Sequence, residues 1–168
     1  MVIDARIGEG DITRLAAHVG RACVKLGIEL TAAESCTGGG VAQALTRIAG
    51  STRYFERGFV TYGNDAKEEM LGVSHATLLA HGAVSEATAR EMAQGALAMS
   101  RARLAVAITG IAGPGGAVPG KPVGLVWFAW AERDGATQAR SFVLPGDREA
   151  VRRQSVAIAL QGFLDLMR

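Results

Sequence analysis

A chain of 168 residues, 49% of them hydrophobic, is long enough to bury a substantial core and suits one domain. Its formal charge of +2, from 18 basic and 16 acidic residues, leaves no basic stripe to neutralise a phosphate backbone, so nucleic acid is not the expected partner. No apolar stretch approaches the roughly 20 residues of a membrane span and MVIDARIGEG holds no leader core, so no membrane is expected and the cytoplasm is the expected setting.

In chain order, a short arm over residues 1–10 precedes a domain over residues 11–168. From Asp11, a plausible N-cap, the residues Ile12, Leu15, Val19, Cys23 and Leu26 recur at helical spacing until Gly27 stops the helix. IELTAA reads as a short strand, and after a glycine-rich turn Val41, Ala44, Leu45 and Ile48 mark a second helix that Gly50 closes. RGFVTYG is the next strand, NDAKEEML forms polar helical turns, and a helix follows from Glu86 to Met99 with Ser85 as its cap. LAVAI and PVGLVWFAWA are continuous apolar runs, as expected of central strands covered on both faces, and ARSFVL is one more strand. The last helix starts at Asp147, buries Val156, Leu160, Phe163, Leu164 and Met167, and gathers Arg148, Arg152 and Arg153 in its first half. This order predicts an α/β fold, a three-layer α/β/α single domain with a mixed central sheet.

Two loops follow strands where such folds bind ligands. In ESCTGGG, glycines let the backbone approach a ligand and leave unpaired N–H groups at a helix start. The same turn is equally readable as a helix cap at Thr37. TGIAGPGG is rich in glycine after a buried strand but has neither the Gly-Lys-Ser/Thr ending of a P-loop nor GxGxxG spacing, so it is a phosphate cradle or a structural turn.

Ser35 and Cys36 are both possible nucleophiles, and the residues alone do not separate them. A catalytic thiolate normally needs a nearby cation, and His18, His75 and His81 read as solvated or capping residues. The two cysteines have no CxxC spacing and form neither a disulfide scaffold nor a zinc site. A serine would need another base; Lys67 is the candidate, with a solvated lysine beside Glu68 and Glu69 as the plain alternative.

TAAESCTGG, FERGFVTYGNDAKEEMLGV, HGAVSE, ITGIAGPGG, KPVGLVWFA and GDREAVRRQ, in this order and spacing, resemble the CinA C-terminal domain family, from about Asp11 to the C-terminus. The resemblance implies a nicotinamide-nucleotide amidase of pyridine nucleotide recycling, forming nicotinate mononucleotide and ammonia without metal, ATP or other cofactor. It makes Ser35 the nucleophile and Lys67 the base, with Tyr62 and Thr109 as nearby polar groups. Substrate contacts are then expected from the backbone of Cys36, Thr37, Gly38 and Gly39, which would hold an oxyanion, and from Gly110, Gly113, Gly115 and Gly116 with Arg148 or Arg152, which would hold the phosphate. A homo-oligomer acting on a small nucleotide is the expected form. The lysine must be neutral, yet at the free pKa only about one in 2,500 is at pH 7; the helix start after Ser35 is expected to help depress it. Two rivals remain: a non-catalytic nucleotide-binding or interaction module linked to competence or DNA damage, which loss of Ser35 or Lys67 would have favoured, and a Ser/Lys hydrolase of another carboxamide.

Overall fold

The computed structural model describes residues 6–168, so residues 1–5 of the expected arm lie outside the described residues. Helix α1 (Glu9–Leu26) leads to β1 (Leu30–Glu34), α2 (Gly40–Thr46), a 3₁₀ turn at Ser51–Arg53, β2 (Phe55–Val60), and helices α3 (Asn64–Leu71), α4 (His75–His81) and α5 (Glu86–Ala98). Then come β3 (Leu104–Gly110), β4 (Leu125–Glu132), β5 (Thr137–Val143) and α6 (Arg148–Leu166). The strands form one mixed sheet in the order β2-β1-β3-β4-β5, parallel from β2 to β3 and antiparallel from β3 to β5. With helices on both faces this is the expected three-layer α/β/α arrangement.

The two faces of the sheet are filled differently. Strand alternation sends Leu30, Leu104, Val106, Ile108, Phe128 and Trp130 toward α1, α2 and α6. The opposite residues Ala33, Ala105, Ala107, Ala129 and Ala131 face the layer of α3, α4 and α5. Small side chains let α5 lie low on the sheet, and α3 in turn lies close on α5: a Cβ at Gly95 would stand 1.9 Å from the Leu71 carbonyl oxygen. Only a glycine permits that contact.

Several boundaries differ from the sequence reading. Gly8, not Asp11, is the N-cap of α1; Asp11 sits in its first turn and accepts the Gly8 N–H through Oδ2 at 2.9 Å. Helix α2 stops at Thr46, whose hydroxyl turns back to the Ala42 carbonyl (2.7 Å), while Gly50, at φ 82°, opens the 3₁₀ turn instead of closing the helix. The strand expected over 57–63 runs from Phe55 to Val60, and α4 was not foreseen. Ser85 and Asp147 cap α5 and α6 as expected, accepting the N–H groups of Thr88 and Ala150. Leu164 and Met167 are only partly buried beside the core that holds Val156, Leu160 and Phe163. No helix among the described residues is long and apolar enough to cross a membrane.

Candidate active site

From β1 the chain passes to β2 on one side, and from β3 to β4 on the other. The carboxyl ends of β1 and β3 therefore bound the crevice in which open α/β sheets hold ligands. Ser35 continues the ladder one residue past β1, donating its N–H to Ile108 O at 3.0 Å, and Thr61 continues β2, donating to Glu34 O at 2.8 Å. Alternation puts Glu34 on the α2 face and Ser35 on the α3 face.

Helix α3 reaches over these strand ends and inserts Lys67. Its side chain is fully buried, at 0% exposure. Nζ lies 2.7 Å from Thr61 O, 3.3 Å from Tyr62 O and 3.2 Å from Ser35 Oγ. No carboxylate is among these partners, so the plain alternative of pairing with Glu68 or Glu69 does not hold. Burial among uncharged acceptors pushes the Lys67 pKa below the usual lysine range. A neutral amine has two N–H donors and one lone pair. The two carbonyls can take the donors, which leaves the lone pair for the Ser35 hydroxyl proton.

Cys36, the rival nucleophile, is also buried, but its thiol is pushed up to about 12 by desolvation, which outweighs the lowering effect of a hydrogen bond from its own backbone; the Glu34 carboxylate adds to the rise, and Arg152 and Lys67 oppose it. At neutral pH it is a thiol and a poor nucleophile. The histidines stand elsewhere: His18 and His81 are exposed, and His75 meets Glu68 at 2.8 Å on the surface.

The turn after Ser35 departs from expectation. Glu34, 1% exposed, accepts four hydrogen bonds there: Oε2 from Thr37 Oγ1 (2.7 Å), Gly39 N–H (3.1 Å) and Val41 N–H (3.1 Å), and Oε1 from Ala42 N–H (2.9 Å). It, and not Thr37, caps α2, whose N-cap residue is Gly39. Gly38 and Gly39 take φ of 58° and 97° to bring their chain round this carboxylate. Gly38 N–H bonds Ser35 O and Gly40 N–H bonds Thr37 O. The N–H groups of Gly38 and Gly39 are therefore engaged, and the helix start faces an internal anion and does not lend its positive end to Lys67. Among the described residues, Cys36 and Thr37 keep N–H groups that no backbone or carboxylate oxygen accepts.

A cleft of about 260 Å³ opens above Ser35 and Lys67. Cys36, Tyr62 and Thr109 line it with them, as do Gly110, Gly113, Gly115 and Gly116 of the loop after β3, and Arg148 of α6. Thr37, Gly38 and Gly39 do not. Thr109 commits its hydroxyl proton to Ala83 O at 2.7 Å and makes no hydrogen bond to the lysine. Tyr62 meets Lys67 through its carbonyl; its half-exposed phenol accepts from Arg148 at 2.9 Å, and Arg148 also donates to Gly113 O at 2.8 Å. Arg152 turns away, to Thr37 O at 3.1 Å, in a separate hollow between α2 and α6. Sequence reasoning missed Glu34 and the paired carbonyls; an acid ending an otherwise apolar strand run was the one signal for the first.

The CinA C-terminal domain family matches residues 12–167. The chain is 54% identical to nicotinamide-nucleotide amidohydrolase PncC of Escherichia coli (strain K12) over 91% of its own length and 93% of that protein, and 49% identical to the protein of the same name from Pseudomonas putida, over 92% and 96%. Among solved structures it resembles competence/damage inducible protein CihA from Agrobacterium tumefaciens, with a TM-score of 0.93, 49% identity, and 95% and 97% of the two chains covered.

Proposed function

Because the chain belongs to the CinA C-terminal domain family, we propose that it is a nicotinamide-nucleotide amidohydrolase in which Ser35 and Lys67 hydrolyse the carboxamide of nicotinamide mononucleotide. Relatives of that name at 49–54% identity support the activity. The contact between Lys67 Nζ and Ser35 Oγ, 3.2 Å within a buried and otherwise uncharged setting, is the observation that carries the mechanism.

Lys67, neutral, takes the Ser35 proton as Oγ bonds to the carboxamide carbon. The N–H group of Cys36, which lines the cleft beside Ser35, faces the oxyanion that forms. The C–N bond then breaks, Lys67 hands the proton to the departing nitrogen, and ammonia leaves a Ser35 ester. Water, deprotonated by the same lysine, attacks the ester; its C–O bond breaks, Ser35 regains a proton, and nicotinate mononucleotide is released. Arg148 has donors left beyond the two that hold Tyr62 and Gly113, and stands at the cleft mouth to receive the phosphate. Tyr62 and Thr109 shape the cleft in this reading without carrying protons.

Ammonia release and nicotinate mononucleotide formation by the purified protein test the reading directly. Wild type is expected to turn over the nucleotide with kcat/KM well above that for free nicotinamide. Arg148→Ala is expected to shrink that preference through the nucleotide alone. Equal kcat/KM for nicotinamide and its nucleotide in wild type refutes the phosphate assignment, and absence of ammonia from the nucleotide refutes the function.

A further inference from the structure

Glu34 holds the group most at odds with its surroundings: a carboxylate, 1% exposed, one residue from the nucleophile yet on the opposite face of the sheet, with no cation among its hydrogen-bond partners. All four of its hydrogen bonds go forward into the turn, to residues 37, 39, 41 and 42. Its main chain serves the other half of the site, since Glu34 O accepts the N–H of Thr61, whose own carbonyl holds Lys67 Nζ. A cap that only started α2 would need one or two N–H groups. This one also binds the Thr37 hydroxyl and the Gly39 N–H, one on either side of Gly38, and so fixes the plane of the chain just after Ser35.

We infer that Glu34 is a positioning residue for the hydrolysis: by holding the turn on both sides of Gly38 its side chain aligns the Cys36 N–H group toward the oxyanion, while its main chain separately braces the Lys67 mooring. The inference rests on the amidohydrolase reading above. It assigns the carboxylate to the transition state and not to substrate binding, because Glu34 does not line the cleft. A carboxamide in the ground state does not need that donor aligned; the tetrahedral oxygen does.

Glu34→Gln tests it. The amide keeps one acceptor oxygen but turns an NH₂ toward donors that the carboxylate served. Two quantities are read: the split between kcat and KM with nicotinamide mononucleotide, and the affinity of pyridine-3-boronic acid. The boronic acid bonds to Ser35 Oγ as the serine proton passes to Lys67, and becomes a tetrahedral anion whose oxygen occupies the oxyanion position. The expected result is a fall of about 30-fold or more in kcat with KM within threefold, and a parallel loss of boronate affinity. A kcat near that of wild type in a folded variant overturns the inference, as does a kcat loss with boronate affinity intact.

If Glu34→Gln does not fold, Thr37→Val removes one donor and keeps the carboxylate; both readouts are then expected to fall together, by a smaller factor, and unchanged values overturn the inference. The outcome is separable from that of the function itself. A wild-type protein that binds the boronate but releases no ammonia from the nucleotide refutes the activity, and the loss of boronate affinity in the variants still decides the role of Glu34.

Discussion

Gly95→Ala puts a methyl group where α5 meets the end of α3. The new Cβ would lie 1.9 Å from Leu71 O, whereas ordinary contact begins near 3.4 Å, so the helices must part by about 1.5 Å (3.4 − 1.9). Leu71 is one helical turn beyond Lys67. Two energies compete in the fold. Alanine in a helix interior gains about 1 kcal/mol over glycine, and overpacking against backbone costs ~1–3 kcal/mol. The net loss is then ~0–2 kcal/mol, a fall of several degrees at most in the unfolding midpoint of a chain this size. Catalysis has no such offset. An ångström of misplacement can cost about 10²-fold in rate, and the long lysine stem absorbs part of it, so kcat is expected to fall about 10- to 100-fold while the protein remains folded. Ammonia release under saturating nucleotide, beside thermal unfolding of the same preparation, measures both. A variant with full kcat and a raised midpoint would refute the reasoning, because it would mean that α3 does not depend on this contact to place the base.

Lys67→Met is expected to be inactive yet more stable at neutral pH, as it removes a buried amine. The folded lysine pKa lies below its unfolded value, so the wild-type penalty is full below the folded pKa, fades as pH rises through it, and is gone above the free-lysine range near 10.4; urea unfolding from pH 7 to 11 should show the advantage of Lys67→Met shrinking across that window. Wild-type kcat/KM should rise with pH through one ionisation below 10.4, and Lys67→Arg should stay inactive because its guanidinium does not deprotonate. Ser35→Ala should abolish turnover without loss of stability, and iodoacetamide should leave the wild type active, since the Cys36 thiol is buried and pushed up to about 12; rapid inactivation that substrate prevents would transfer the nucleophile to Cys36. Thr61 Oγ1 is buried with no hydrogen-bond partner among the described residues, so Thr61→Val should raise stability by about 1 kcal/mol in chemical unfolding, and a loss of that size would show that the hydroxyl has a partner.

Much of the fold could be read in advance because periodicity and punctuation agreed. α3 falls on NDAKEEML, α5 begins after its Ser85 cap, and α6 after Asp147. β2 was misplaced at its start because FERG is polar, as suits an edge strand with one side open to solvent. α4 was missed because HATLLAH is a single short stretch whose Ser74 makes no side-chain cap bond. Ser35 and Lys67 were each visible, but not their contact. It depends on Glu34 pairing in register with Val60 across parallel strands, a non-local alignment that no window of sequence contains. The same limit hid Glu34: a carboxylate satisfied by the N–H groups that follow it looks, in sequence, like any acid before a glycine turn. The glycines there promised free donors because glycine marks where the chain bends, and says nothing about which groups the bend consumes.

The unequal filling of the sheet implies an unequal tolerance to inherited change. Toward α1, α2 and α6 the sheet presents Val106, Ile108 and Phe128, where trimming a side chain opens a void and enlarging it is a second-order concern. Toward α5 it presents Ala105, Ala107 and Ala129, with almost nothing left to trim, so that nearly every replacement adds bulk and lifts the helices above it. Drift on the first face is a matter of how well the protein holds together. On the second it is a matter of how well it works, since the layer that would rise is the one that carries the base.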